Sequence, residues 1–243
     1  MRFIFIAISI IQILAIQECD KLFIPRSKKV NDKIITDHDI MSSAYAYSHG
    51  VTNNNLSTLQ LLFSLILMYK PDNCVVIGTG TGLIPRIIRE AQIKSGKEVG
   101  KTYLIDLGET NGAMPSLIHN TSSVFRQLYP DIDVYKNYSV PGGYNFIKTK
   151  LSTIDILWID GDHSYEGSKN DFDSYSQLVT SEGLIFMHDI APNGEQVNQP
   201  EWCGVHKTIQ DIKANSKFEV LQLMSSRKNY LGMGLAIIRR IKI

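Results

Sequence analysis

Cysteine is scarce in this chain of 243 residues: Cys19, Cys74 and Cys203 stand far apart and are odd in number. They supply neither a Cys-x-x-Cys metal site nor a disulfide framework. An excess of charge is missing as well. Lys and Arg total 25 against 24 Asp and Glu, a formal net charge of +1, and no long basic run occurs. Nothing in that balance points to nucleic acid or an acidic partner. The Gly-x-Gly-x-x-Gly spacing of a dinucleotide fold is absent, which counts against a nicotinamide dehydrogenase. There is no internal repeat and no sign of a second-domain boundary. With 44% hydrophobic and 20% charged residues, the composition is that of an ordinary globular protein, long enough for one large α/β domain.

One apolar run stands apart. Arg2 is followed by Phe3 to Ile16, apolar except for Ser9 and Gln12. That is the charged start and short hydrophobic stretch of a secretory signal or signal anchor, and it is short for a spanning helix. Ala15 to Cys19 lacks a clean small-x-small cleavage pattern, so a buried N-terminal helix or strand is the other reading. A signal would direct the protein to a secretory lumen or out of the cell, with membrane attachment only through this segment if it stays uncleaved. Without one, the protein would be cytoplasmic. The acceptor triplets at Asn55, Asn120 and Asn137 matter only in that lumen. Residues 1–19 are read as the leader, 20–50 as a mobile N-terminal arm without periodicity, and 51–243 as the folded domain.

Within that domain, strands and helices alternate. Ser57 caps an apolar helix, Thr58 to Tyr69. Strands are expected at Cys74–Ile77, Thr102–Ile105, Ile132–Tyr135, Ile154–Ile159 and Leu184–Met187. Between them the pattern predicts helices at Leu83–Ile93, Met114–Leu128, Phe146–Leu151 and Glu166–Val179. After a polar loop, Val205 to Ile212 is helical, and Phe218–Leu223 and Leu231–Ile238 are two last strands with no helix between them. The alternation implies a parallel sheet with right-handed crossovers. The final pair implies an antiparallel edge, roughly seven strands in all.

Chemistry gathers at the strand ends, where ligands bind in open α/β sheets. The first strand runs into Gly78-Thr79-Gly80-Thr81-Gly82 and then a helix. Glycines there let backbone approach a ligand at a helix N-terminus; a bare tight turn is the alternative. Asp106 ends the next strand, where an acid can accept hydrogen bonds from ribose hydroxyls. The run Ile154 to Ile159 ends in Asp160-Gly161-Asp162-His163-Ser164-Tyr165, and the following strand ends in His188-Asp189. Asp160 and Asp189 suit a hard cation such as Mg²⁺. His188 could join them, although imidazole suits Zn²⁺, Mn²⁺ or Fe²⁺ better. His163 could act as general base, or bond its own loop. Asp162 reads as a loop cap or an outer partner. Glu166, Asp171 and Asp173 read as surface charge, Trp158 and Tyr103 as core. Trp202 and His206 read as substrate contacts or packing, and His49-Gly50 as part of a lid.

The order of glycine loop, ribose acid, Ile-Asp-Gly-Asp-His-Ser-Tyr and His-Asp resembles a class I S-adenosylmethionine-dependent methyltransferase. It is most similar to the O-methyltransferase-like group called methyltransferase domain 24, over about residues 50 to 240. The resemblance implies the seven-stranded Rossmann-like methyltransferase sheet. Gly78, Gly80 and Gly82, with Thr79 between them, would face the cofactor's methionine moiety, Asp106 its ribose, and Asp160 would border the cofactor as well as the metal. In the catechol and caffeoyl-CoA enzymes a metal-binding Asp falls on Asp160, a catalytic Lys on His163, and a metal-binding Asp-Asn pair on His188-Asp189. The chain departs from them with His163 and His188, and with Val76 where an acid often precedes the glycine loop. The implied activity is methyl transfer to a hydroxyl of a small molecule, cation-assisted or with His163 alone as base. A non-catalytic binding protein that keeps the fold is the competing class.

Overall fold

Apolar side chains along the central strands alternate between the two faces of one sheet. The computed structural model describes residues 27–30, 33–36, 58–78, 82–108, 121–191, 204–224 and 234–241. In chain order these form β1 (Ser27–Val30), β2 (Lys33–Thr36), α1 (Thr58–Tyr69), β3 (Asn73–Ile77), α2 (Leu83–Lys94), β4 (Lys101–Asp106), α3 (Val124–Leu128) and β5 (Ile132–Lys136). A π-turn at Ser139–Gly143 leads into α4 (Tyr144–Lys150), followed by β6 (Ile154–Ile159), α5 (Tyr165–Tyr175), β7 (Val179–His188), α6 (Gly204–Ala214), β8 (Phe218–Met224) and β9 (Gly234–Arg240). β3 to β9 make a seven-stranded sheet in the order β5-β4-β3-β6-β7-β9-β8. β9 runs antiparallel to both β7 and β8, and the remaining pairs are parallel. The mostly parallel sheet with an antiparallel C-terminal edge is as expected.

Cys74, Val76, Leu104, Trp158 and Phe186 point to one face and pack with α1, α2 and α3. Val75, Ile77, Ile105, Leu157 and Met187 point to the other and pack with α4, α5 and α6. Strands covered on both faces read as continuous apolar runs, which is why they stand out in the sequence. Each fully buried Leu, Ile or Phe contributes about 1.5–3 kcal/mol. These two layers therefore hold the strand ends in place more firmly than helix propensity could. Trp158 and Tyr103 are core, as expected, at 0% and 5% exposure.

Three boundaries differ from expectation. Residues 27–36, within the stretch read as an arm, contain an antiparallel pair with Ser27 opposite Thr36 and Val30 opposite Lys33. Its β-branched Val30, Ile34 and Ile35 favour strand, and it lies against α3. The helix expected to reach Val179 stops at Tyr175, because Ser176–Leu178 tighten into a 3₁₀ turn. Val179 instead opens β7 opposite Ile154, and the register shifts before Leu184 meets Ile156. Of the helix expected over Met114–Leu128, residues 121–128 are described; 121–123 form a turn and the helix starts only at Val124, capped by Ser123. No helix among the described residues is long and apolar enough to cross a membrane; the leader region lies outside them.

Candidate active site

The exits of β3 and β6 meet backbone to backbone. Gly78 has φ 68°, and a side-chain carbon there would fall 2.1 Å from the Asp160 carbonyl oxygen. Only glycine allows that conformation and approach together. The Gly78 amide donates to the Ile105 carbonyl, and the Asp160 amide to the Ile77 carbonyl, each at 2.9 Å. Three strand ends are thereby tied into one edge. Gly82 is the N-cap of α2 with φ 78°. Thr79 and Gly80 lie outside the described residues, as do Trp202 and His49-Gly50. Asp106 closes β4, nearly buried, and its Oδ1 accepts from the Gly108 amide at 2.7 Å. The acid expected at the ribose thus sits at the exit beside the glycine loop.

At the neighbouring exits four ionisable side chains converge. His163 Nε2 lies 3.3 Å from Asp160 Oδ1 and 3.5 Å from Asp189 Oδ2. His188 Nδ1 lies 3.4 Å from Asp160 Oδ1 and 3.4 Å from Asp189 Oδ1. Each carboxylate therefore faces both imidazoles. Ligand atoms of Asp160, His163 and Asp189 all lie within 4.8 Å of one another. The sequence reading grouped His188, rather than His163, with the two carboxylates as metal ligand. In the structure His188 is the inner ring, 8% exposed at its side chain against 23% for His163, and it stacks on Trp158 with centroids 5.9 Å apart.

Burial disfavours the charged form of both histidines, yet both pKa values stand above the ordinary histidine range. For His163 burial is outweighed by the hydrogen bond and charge of Asp160, then by Asp189. For His188, deeper still, the charges of Asp160 and Asp189 outweigh it and lift the value well above normal. Two carboxylates side by side need a cation between them, and without a metal a proton serves. Asp189 is also strained: its φ of 56° is left-handed, a conformation that costs a non-glycine residue about 1–3 kcal/mol and clusters at functional sites.

The residues around this cluster sort themselves plainly. Asp162 accepts from the Ser164 amide at 2.8 Å, so it is a loop cap. Ser164 in turn caps α5 by accepting from the Gly167 amide at 3.0 Å. Glu166 and Asp173 are exposed, as expected of surface charge. Asp171 is not. It is 1% exposed, because it shares the inward stripe of α5 with Ser168, Phe172 and Tyr175. Burial first, then the charge of Asp162, push its carboxyl up to about 7, against the pull of a hydrogen bond with Ser139. The spacing of Ser168, Asp171, Phe172 and Tyr175, one helical face, was the signal that could have marked it. His206 is engaged with backbone, its Nδ1 donating to the Ile190 carbonyl at 3.0 Å.

Comparison with known proteins fits this geometry. The methyltransferase domain family Methyltransf_24 matches residues 75–190. An uncharacterized protein of Acanthamoeba polyphaga mimivirus is 34% identical over 82 residues, covering 32% of this chain and 36% of that protein. The match thus spans about a third of the length of that curated relative. Among solved structures, the O-methyltransferase of Bacillus cereus in complex with S-adenosylhomocysteine (SAH) superposes with a TM-score of 0.63. It is 14% identical, over 84% of this chain and 90% of that one. The O-methyltransferase TomG of Streptomyces achromogenes, involved in tomaymycin synthesis and bound to S-adenosylmethionine, gives 0.61 at 11% identity, over 82% and 88%. The SAH-bound methyltransferase PaMTH1 of Podospora anserina gives 0.56 at 14% identity, over 84% and 88%. Residues 75–190 thus match the methyltransferase domain family, and the strand order and the tied glycine exit agree with that match.

Proposed function

We propose that the protein transfers a methyl group from S-adenosylmethionine to a hydroxyl of a small molecule, with a divalent cation held at the exits of β6 and β7. The observation that carries this is the convergence of Asp160, His163 and Asp189 within 4.8 Å, directly beside the backbone cradle at Gly78. The donor chemistry fits: two carboxylates and one imidazole suit a divalent metal that takes mixed oxygen and nitrogen ligands, Mn²⁺ or Zn²⁺ better than Mg²⁺. The glycine exit is consistent with this placement, since Gly78 packs against the Asp160 backbone with no room for a side chain between them. When bound, S-adenosylmethionine would supply its sulfonium methyl, and the cation would make the acceptor hydroxyl more acidic.

The chain's own part is to position and to manage protons. Gly78 and Asp106 hold the donor side of the edge, and Asp160 and Asp189 the acceptor side, so that the two reactants meet in a fixed geometry. His163 Nε2 faces both carboxylates. That one nitrogen can complete the ligand set or hold a proton, but not both at once. A second reading follows from its raised pKa: without a cation, His163 takes the hydroxyl proton itself and the two carboxylates stabilise the imidazolium.

Calorimetric titration of S-adenosylmethionine, with and without Mn²⁺, tests the reading on wild type and Asp106→Ala. Wild type should bind, and the variant should lose about 10–100-fold in affinity, the worth of a charged hydrogen bond. Turnover on a panel of hydroxylated acceptors should cease with chelator and return with Mn²⁺. Turnover that persists in chelator selects the metal-free reading. Absence of cofactor binding under every condition would sink both.

A further inference from the structure

Helix α6 braces both halves of the carboxylate–imidazole cluster. Gly204, its first residue, is buried. A side-chain carbon there would fall 2.1 Å from the Tyr165 amide nitrogen and 2.5 Å from the His163 carbonyl oxygen. The helix therefore presses on the very backbone that carries His163. Two residues further on, His206 reaches the other half. Its Nδ1 lies 3.0 Å from the Ile190 carbonyl oxygen. A carbonyl only accepts, so Nδ1 carries the proton. The Gln210 side-chain amide nitrogen, which only donates, stands 3.3 Å from Nε2, so that nitrogen is the acceptor. The Ile190 side chain is fully buried, with β9 so close beneath it that a side-chain carbon at Gly234 would sit 2.9 Å from its Cγ1. Asp189 is thus caught between His188, the last residue of β7, and an anchored Ile190, and it occupies the left-handed region.

We propose that His206 is a positioning residue: by holding the Ile190 carbonyl it keeps Asp189 in the left-handed turn that aims its carboxylate at His163. The same contact sets Asp189 as a metal ligand, a part that rests on the cation reading above. Outer partners that orient a ligand are typically worth about 10–100-fold in metal affinity. His206 acts through Ile190 and Asp189 and needs no contact with the substrate.

The test uses the full chain labelled with ¹⁵N-histidine, as wild type, His206→Asn and His206→Leu. The Asn amide nitrogen can take the place of Nδ1; Leu donates nothing. Long-range proton–nitrogen spectra should show His206 protonated on Nδ1 and bare on Nε2. In His206→Leu the ring signals of His163 and His188 should move, and Mn²⁺ affinity should fall about 10–100-fold. His206→Asn should leave both near wild type. Wild-type affinity in His206→Leu, unmoved ring signals, no rescue by Asn, or a proton on Nε2 would each overturn the proposal. If wild type binds no Mn²⁺, the cation reading fails, and the ring signals alone still decide the positioning role. If His206→Leu does not fold by circular dichroism, His206→Gln replaces it, since its amide reaches the place of Nε2 rather than Nδ1.

Discussion

The exits of β3 and β4 and the exits of β6 and β7 are neighbours on one sheet, yet they are built from different material. At β3 and β4 the structure is mostly backbone: a glycine at φ 68° touching the Asp160 carbonyl, and one acid tied into its own turn. At β6 and β7 it is side-chain charge, two carboxylates interleaved with two imidazoles. A backbone cradle has shape whatever the pH, and steric substitution breaks it. The charged cluster keeps its geometry under conservative substitution but changes state with protons and cations. The two are joined at one point, where Gly78 meets Asp160.

Substitution at that joint should have the largest effect. Gly78→Ala puts a carbon against the Asp160 carbonyl and demands a left-handed alanine. We expect a loss of about 2–4 kcal/mol from strain and overpacking together, a fall of roughly 4–16 °C in melting temperature for a chain of this size. Cofactor and Mn²⁺ binding should fail together, because Asp160 must shift. A variant that melts like wild type, or that loses only one of the two ligands, would show that the exits are independent after all.

His163→Asn should separate the regions cleanly. Its partners are the two carboxylates, and it takes no part in the β3 cradle. We expect kcat to fall about 10²–10⁴-fold, the usual worth of a positioned acid or base, while cofactor affinity by calorimetry stays at the wild-type value. The pH profile sharpens the point. On the metal-free reading the base must be unprotonated to work, so activity that persists in chelator should rise with pH through a pKa above the ordinary histidine value of about 6.5. Asp189→Asn removes one of the charges that raise it, and should move that limb to lower pH. A limb that does not move would place the titrating group elsewhere.

Much of this was legible in the residues. The sheet was, because strands covered on both faces are apolar throughout and helices punctuate them. The edge residues were, because Gly78, Asp160 and Asp189 each follow a strand and Asp106 ends one, and β6 and β7 are adjacent in the sheet as well as in sequence. What one chain cannot display is depth across strands. His163 and His188 look alike in sequence; only the stacking of His188 on Trp158 makes it the inner ring. The contact between His206 and Ile190 joins residues sixteen apart, with a polar loop between them and no period to link them. Asp171 was misread because it stands among Lys169, Asn170 and Asp173 in sequence, although on the helix it shares the buried face of Ser168, Phe172 and Tyr175.

That misreading leads to a smaller effect, outside both exits yet close beneath one. Asp171 Oδ2 would lie 3.4 Å from a side-chain carbon on Gly161, under the loop that presents His163. Its carboxyl, displaced from 3.8 to about 7 by burial, is protonated in the folded chain and ionised in the unfolded chain between those values. A raised folded pKa contributes stability that is fully present below the unfolded value and is lost as pH climbs through the folded one. Wild type should therefore lose on the order of 1–4 kcal/mol between about pH 4 and pH 7 from this group alone. Asp171→Asn keeps the shape and removes the proton, so the melting temperatures of variant and wild type should diverge in the variant's favour as pH rises across that window. The shift of a buried acid should leave the β3 cradle untouched, and SAH affinity at pH 7 should be unchanged. Parallel melting curves across the window would mean that Asp171 is ionised and compensated in the fold. The loop under His163 would then carry a buried charge, and the charged region would extend one layer deeper than the strand exits.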